Sequence, residues 1–172
     1  MRALAGIWRE GVGTATRPSL RDVMFLPQRP YMILGSLRDQ LTYPRAAGRS
    51  DEQLEDALGA VNLSALCERF GGLDVEMPWA DVLSPGEQQR LAFARLLLNH
   101  PRYAFLDEAT SALDTANERL MYELLRKEGI PFLSAGHRPS LLKFHRNILE
   151  LSADGRWTVE RSSEFEFQPN AA

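Results

Sequence analysis

A single cysteine, Cys67, among 172 residues leaves no partner for an internal disulfide, and no second cysteine or nearby histidine supplies metal-ligand spacing. The reducing cytosol suits such a chain, with Cys67 as a small buried apolar residue. Long apolar runs are missing too. The longest lies around Leu96 to Leu98, far short of the ~18 residues of a membrane span. The opening Met1-Arg2-Ala3-Leu4-Ala5-Gly6-Ile7-Trp8 has one arginine and too short an apolar stretch for a signal peptide. These absences predict a chain that is soluble and cytoplasmic by itself. There is also no basic excess: 20 Lys plus Arg against 23 Asp plus Glu give a net charge of −3, so nucleic acid is not an expected partner. Internal repeats and low-complexity linkers are absent.

What is present suits one compact domain: 44% hydrophobic and 25% charged residues, in a length that buries a real core. Ala3, Leu4, Ile7 and Trp8 share one helical face with no N-cap before them, which reads as the tail of a helix. Asp22 to Leu26 forms an apolar run stopped by Pro27, a buried strand that leaves Gln28 just beyond its end. Ser36 caps a short helix closed by Pro44, and Ser50 caps a longer one with Asp51 and Glu52 in its first turn and Leu54, Leu58 and Val61 on one side. At Ser84, Pro85 and Glu87 the pattern sharpens into a capping box with proline at the first helical position. Leu91, Ala94, Arg95 and Leu98 then follow at helical spacing to about Asn99. Tyr103 to Leu106 reads as a buried strand ending in Asp107 and Glu108, Asp114 to Glu128 as a helix closed by Gly129, and Ile130 to Ala135 as another strand. A short helix at 139 to 145 precedes two strands, Asn147 to Leu151 and Trp157 to Glu160, around an Asp154-Gly155 turn, and the last dozen residues read as a flexible tail. Strands alternating with helices from residue 103 predict a layered α/β architecture with a parallel sheet.

Acids at the carboxyl end of a buried strand lie where open α/β sheets bind ligands. Asp107 could hold the shell of a phosphate-bound Mg²⁺, and Glu108 could orient or deprotonate a water. On spacing alone, such a pair more often caps the next helix. Ser84-Pro85-Gly86 opens a helix whose free N–H groups favour an anion, although Ser84 and Glu87 serve equally well as a simple cap. His100 and His145 read as surface or capping histidines, and Trp8, Trp79 and Trp157 as packing anchors.

The order of these pieces carries more than any one of them. Pro27-Gln28-Arg29-Pro30-Tyr31-Met32, then Leu83-Ser84-Pro85-Gly86-Glu87-Gln88-Gln89-Arg90, then Leu106-Asp107-Glu108-Ala109-Thr110-Ser111-Ala112-Leu113-Asp114, then His137 closely resembles the nucleotide-binding domain of ATP-binding cassette (ABC) transporters. The resemblance runs over residues 1 to 160. The strings Gly35 to Pro44 and His137 to Leu141 resemble the branch of SbmA/BacA-type and YddA-type proteins and the peroxisomal acyl-CoA half-transporters. It implies a three-layer P-loop NTPase fold with a helical signature subdomain at about 36 to 98. It also implies an ATP-hydrolysing motor domain that uses Mg²⁺ and drives a membrane transporter from the cytoplasmic face, in a bacterium the inner membrane.

By the same resemblance, Gln28 is the Q-loop glutamine that senses Mg²⁺, Asp107 the Walker B metal-shell acid, Glu108 the catalytic base and His137 the switch histidine. Ser84, Gly86 and Glu87 belong to the signature that meets the γ-phosphate across a head-to-tail homodimer, and Asp114 ends the D-loop. Arg29, Tyr31 and Met32 either touch the transmembrane domain or form an exposed turn. The family's Walker A loop and adenine-stacking aromatic would fall before Met1, so the resemblance reads the chain as N-terminally truncated and predicts weak or no ATPase activity of the chain alone. Pro85 stands where the family commonly has glycine, and Glu87 where it has glutamine. Two other classes stay open: a catalytically dead remnant or binding module, and a soluble ABC-type ATPase.

Overall fold

The computed structural model describes residues 1–8, 10–45, 48–152 and 154–166, and the chain divides into two compact units, Met1–Ala135 and Gly136–Ala172. In chain order the first unit holds α1 (Arg2–Ala5), β1 (Val23–Leu26), α2 (Leu37–Thr42), α3 (Asp51–Ala60), α4 (Ala65–Phe70), α5 (Trp79–Val82), α6 (Pro85–Asn99), β2 (Tyr103–Asp107), α7 (Thr115–Lys127) and β3 (Phe132–Ala135). The strands form a parallel sheet in the order β1-β2-β3, with Leu26 opposite Leu106 and Asp107 opposite Ala135. The α/β expectation therefore holds. The middle strand is buried at Ala104, Phe105 and Leu106, as a parallel strand covered on both faces must be. Phe25 meets the Phe105 ring edge-on at 4.9 Å.

Helix α6 is the element the others pack on: α2, α3, α7 and β1 all touch it. Its start is over-determined. Ser84 accepts from the Glu87 N–H, Glu87 reaches back to the Ser84 N–H, and Pro85 occupies the first turn, where its missing N–H costs nothing. Residues 91 to 96 are buried without interruption, and each fully buried Leu or Phe contributes about 1.5–3 kcal/mol. The helix ends at His100, whose N–H still reaches the Leu96 carbonyl and whose left-handed backbone (φ 42°) turns the chain out of the helix.

One of those buried residues is charged. Arg95 is 3% exposed, and its guanidinium donates to the carbonyl of Tyr31 at 2.6 Å, to Gln40 Oε1 at 2.6 Å and to the Gln40 carbonyl. Gln40 is itself fully buried and exchanges hydrogen bonds with both backbone groups of Ile33, at 2.6 and 3.1 Å. Burial pushes the Arg95 pKa down to about 10, still well above neutral pH. Trp79, buried at 1%, donates its indole N–H to the Gly35 carbonyl at 2.9 Å. The irregular stretch from residue 31 to 36 is thus held by side chains rather than by a ladder of its own.

The second unit contains a 3-10 helix (Pro139–Phe144) and the hairpin β4 (Asn147–Leu151) and β5 (Trp157–Arg161). The strands pair antiparallel, with Leu149 opposite Val159 and Leu151 opposite Trp157. All four of those side chains are exposed.

Several local expectations need correction. The first helix does not reach Trp8: Gly6 takes a left-handed conformation (φ 77°) that ends it after Ala5, and Ile7 and Trp8 are exposed. Of the three tryptophans read as anchors only Trp79 is buried; Trp157, like Trp8, lies open. Cys67 is half-buried rather than buried, because Leu66 takes the inner position on α4. β3 begins at Phe132, since Pro131 has no N–H to give a ladder and contributes only its carbonyl, to Ala104. Arg161 belongs to β5, and Ser162 Oγ donates to the His145 carbonyl at 2.6 Å; residues 167–172 of the expected tail lie outside the described residues.

Replacing Arg95 by alanine strands the acceptors of Tyr31 and Gln40 without a donor. Arg95→Ala is expected to lower unfolding free energy by about 2–4 kcal/mol, read as a shifted midpoint in urea denaturation. A loss under about 0.5 kcal/mol would show that water replaces the guanidinium freely.

Candidate functional site

Pairing of Leu26 with Leu106 makes Gln28 and Asp107 leave the sheet at the same end of neighbouring strands. Asp107 is the last residue of β2 and is half-buried; Gln28 is exposed. The chain then turns sharply. Glu108 adopts a left-handed backbone (φ 51°), donates its N–H to the Ala135 carbonyl at 3.0 Å and accepts from the Ser111 N–H at 3.0 Å. An L-residue there costs roughly 1–2 kcal/mol, a cost that lifts the Glu108 side chain out of the strand's alternation. Asp114 closes the turn as the N-cap of α7: its carboxylate accepts from the N–H and side-chain amide of Asn117, at 2.8 and 2.7 Å, and these bonds hold its pKa below the ordinary range. Thr110 Oγ1 donates to Glu118 Oε2 at 3.2 Å beneath the turn.

Gln89 brings the two loop ends together, and sequence reading gave it no role. It is 2% exposed. Its amide nitrogen donates to the Gln28 carbonyl at 2.9 Å and to Ser111 Oγ at 3.2 Å, while its oxygen accepts the Ala112 N–H at 2.9 Å. The missed signal was available: Gln89 lies four and seven residues before the buried Phe93 and Leu96, a polar residue on an apolar helical stripe. Gly86 belongs to the same junction, because a Cβ there would come within 3.1 Å of the Ala112 carbonyl. The glycine permits close approach of α6 to the loop after Glu108.

Ser84 and Glu87 play the capping part. Ser84 Oγ donates to Glu87 Oε2 at 2.8 Å, and Arg69 pairs with Glu87 Oε1 at 2.7 Å. Burial works against the Glu87 charge, but the Arg69 bond and the Ser84 donors outweigh it and hold the carboxyl below its ordinary pKa. A carboxylate thus occupies the hydroxyl expected to face a phosphate. His137 belongs to the second unit, next to Gly136, and is exposed. Among the described residues no three His, Cys, Asp or Glu side chains gather to hold a metal. No described helix is long and apolar enough to cross a membrane.

Three comparisons bear on this geometry. The sequence profile of the ABC transporter family matches residues 9–111. An ABC transporter ATP-binding protein of Synechocystis sp. is 57% identical over 160 residues, covering 92% of this chain and 24% of that protein. The chloroplastic ABC transporter D family member 2 of Arabidopsis thaliana is 42% identical, covering 96% of this chain and 30% of its own length. The chain therefore spans less than a third of either relative. Among solved structures, a bacterial Atm1-family ABC exporter with ATP bound superimposes with a TM-score of 0.66 at 28% identity, over 75% of this chain and 23% of that one.

Two substitutions test the junction. Glu87→Gln removes the charge that Arg69 and Ser84 stabilise. Because the folded pKa is depressed, that contribution is present above the unfolded value of about 4.3 and vanishes as pH falls through the folded one. The stability gap between wild type and Glu87→Gln is expected to close as pH falls below about 4.3 in denaturation curves; a gap independent of pH contradicts the assignment. Gln89→Leu should speed hydrogen exchange at the Ala112 amide by at least about tenfold, while unchanged protection would mean Gln89 does not hold that loop.

Proposed function

The chain belongs to the ABC transporter family, and we propose that it supplies the Q-loop, signature and Walker B portion of a nucleotide-binding domain that hydrolyses ATP to drive a membrane transporter. The observation that carries this reading is the gathering of Gln28, Asp107 and Glu108 at one end of neighbouring strands, with Gln89 tying the loops that bear them. Phosphoryl transfer asks little covalent chemistry of a protein; it asks for position and charge.

Glu108 is the proposed base. Its left-handed backbone departs from the strand pattern, and from that turn the carboxylate would orient a water on the γ-phosphate and take its proton. Asp107 and Gln28 together offer one carboxylate and one amide oxygen, a hard-oxygen set that suits Mg²⁺ completed by phosphates and water. When bound, Mg²⁺ would neutralise charge developing on the phosphate oxygens. Ser84 and Gly86 present the start of α6 to a phosphate from a second domain stacked head to tail, and Ser84 must exchange Glu87 for that phosphate. Asp114 sets where α7 begins, and so where the loop between the two sites ends. His137 is proposed as the switch histidine that bonds the γ-phosphate. Tyr31 and Leu34, 67% and 95% exposed, are available to a transmembrane partner at the cytoplasmic face.

Joined to the part of a transporter that carries the phosphate-binding loop, Glu108→Gln is expected to cut ATP turnover by about 10²–10⁴-fold with ATP affinity nearly unchanged, measured by phosphate release and nucleotide binding. Turnover within about tenfold of wild type would remove Glu108 from the base role.

A further inference from the structure

The far end of the same strands carries a different chemistry. Where β1 and β2 begin, opposite the Asp107 end, a cleft of about 300 Å³ is lined by Arg21, Asp22, Arg45, Asn99, His100 and Arg102. Three arginines and one aspartate line it, in a chain whose net charge is −3. We propose that this cleft binds a phosphate group, presented either by a soluble phosphate ester or by an anionic lipid headgroup.

Pairing elsewhere marks the contrast. Arg38, Arg69, Arg119 and Arg156 each meet a carboxylate within 2.7 Å, whereas no described carboxylate forms an ion pair with Arg21, Arg45 or Arg102. Two of the three are also held in place. Arg45 donates its backbone N–H to Asn99 Oδ1 at 3.1 Å and its Nη1 to the Arg21 carbonyl at 2.5 Å, and the Arg102 guanidinium lies 5.7 Å from the Tyr103 ring centre. Ordering them on a ligand therefore costs less entropy than ordering mobile side chains. His100 completes the wall from a left-handed backbone.

A phosphate matches this donor set better than a carboxylate does: its oxygens accept the paired N–H groups of more than one arginine, and its second charge answers the local excess. One effect opposes an anion here, the negative end of the α6 dipole. Three carbonyls near its end are engaged: Leu98 by Arg49 Nη2 at 2.6 Å, Arg95 by Asn99 Nδ2 at 2.8 Å and Leu96 by the His100 N–H at 2.9 Å. In the cleft itself the three arginines outnumber the one carboxylate, Asp22. The volume is at the small end for a ligand pocket and takes a phosphate with a short attached group.

The test uses the 172-residue chain, with pyrophosphate as the soluble probe and phosphatidylcholine vesicles with and without phosphatidic acid as the lipid probe. Saturable pyrophosphate binding is expected, with amide shifts at Arg21, Asn99, His100 and Arg102, weakened at least about tenfold by Arg21→Gln combined with Arg102→Gln. Sedimentation with phosphatidic acid vesicles alone, lost in the same variant, would support the proposal and name the lipid as the source. Binding to neither probe, binding that survives the substitutions, or shifts confined to Ser84 to Glu87 would overturn it. Both arginines are exposed; should the double variant melt early, each single substitution carries the same test.

Discussion

Arg95 brings a guanidinium into the interior of the first unit with no described carboxylate beside it. Removing such an ion from water costs several kcal/mol, and only a full set of acceptors offsets that. Backbone carbonyls and an amide supply the set, from Tyr31 and from both oxygens of Gln40. Because those acceptors belong to chain segments with little regular structure, the demand of one buried charge dictates the path of the loop after β1. Gln40 extends the demand to Ile33, and Trp79 closes the stretch at Gly35. Ser36 has a backbone bridge to Glu76 and a capping box of its own, but residues 31 to 35 lie in no regular element and depend on these side-chain bonds.

Helix α6 then works as a ruler. Gly86 and Gln89 lie at its start against the loops that follow β1 and β2, Arg95 six residues further holds the middle of the first of those loops, and His100 ends it at the opposite pole of the sheet. The separation between these contacts is set by helical rise, about 1.5 Å per residue, so the two loops cannot shift independently. This explains how loops can hold Gln28, Asp107 and Glu108, the residues proposed for the site, in register: their mobility is removed by side chains projecting from one rigid element.

Much of this was legible beforehand. The N-caps at Ser36, Ser50 and Ser84 and the capping box at Ser84 are read from sequence, and the structure adds that Ser36 and Ser50 form capping boxes as well. The three parallel strands followed from short apolar runs bounded by proline or acids. What could not be read was burial at the margins. Ile7, Trp8 and Trp157 are large and apolar, and nothing local distinguishes them from Trp79, whose burial depends on a contact with Gly35 forty-four positions away. Arg95 was placed on the inner stripe by spacing, yet the acceptors that permit it there lie 55 and 64 positions off. Polar residues on an apolar stripe were the unread signal, and both Gln89 and Arg95 carry it.

Glu108 holds a left-handed backbone that glycine or asparagine would adopt with less penalty. Evolution toward stability alone would drift away from glutamate at this position, toward a residue without a carboxylate. If the carboxylate has the proposed role, lineages freed from that demand would lose glutamate here early, and position 108 is where stability and chemistry part company.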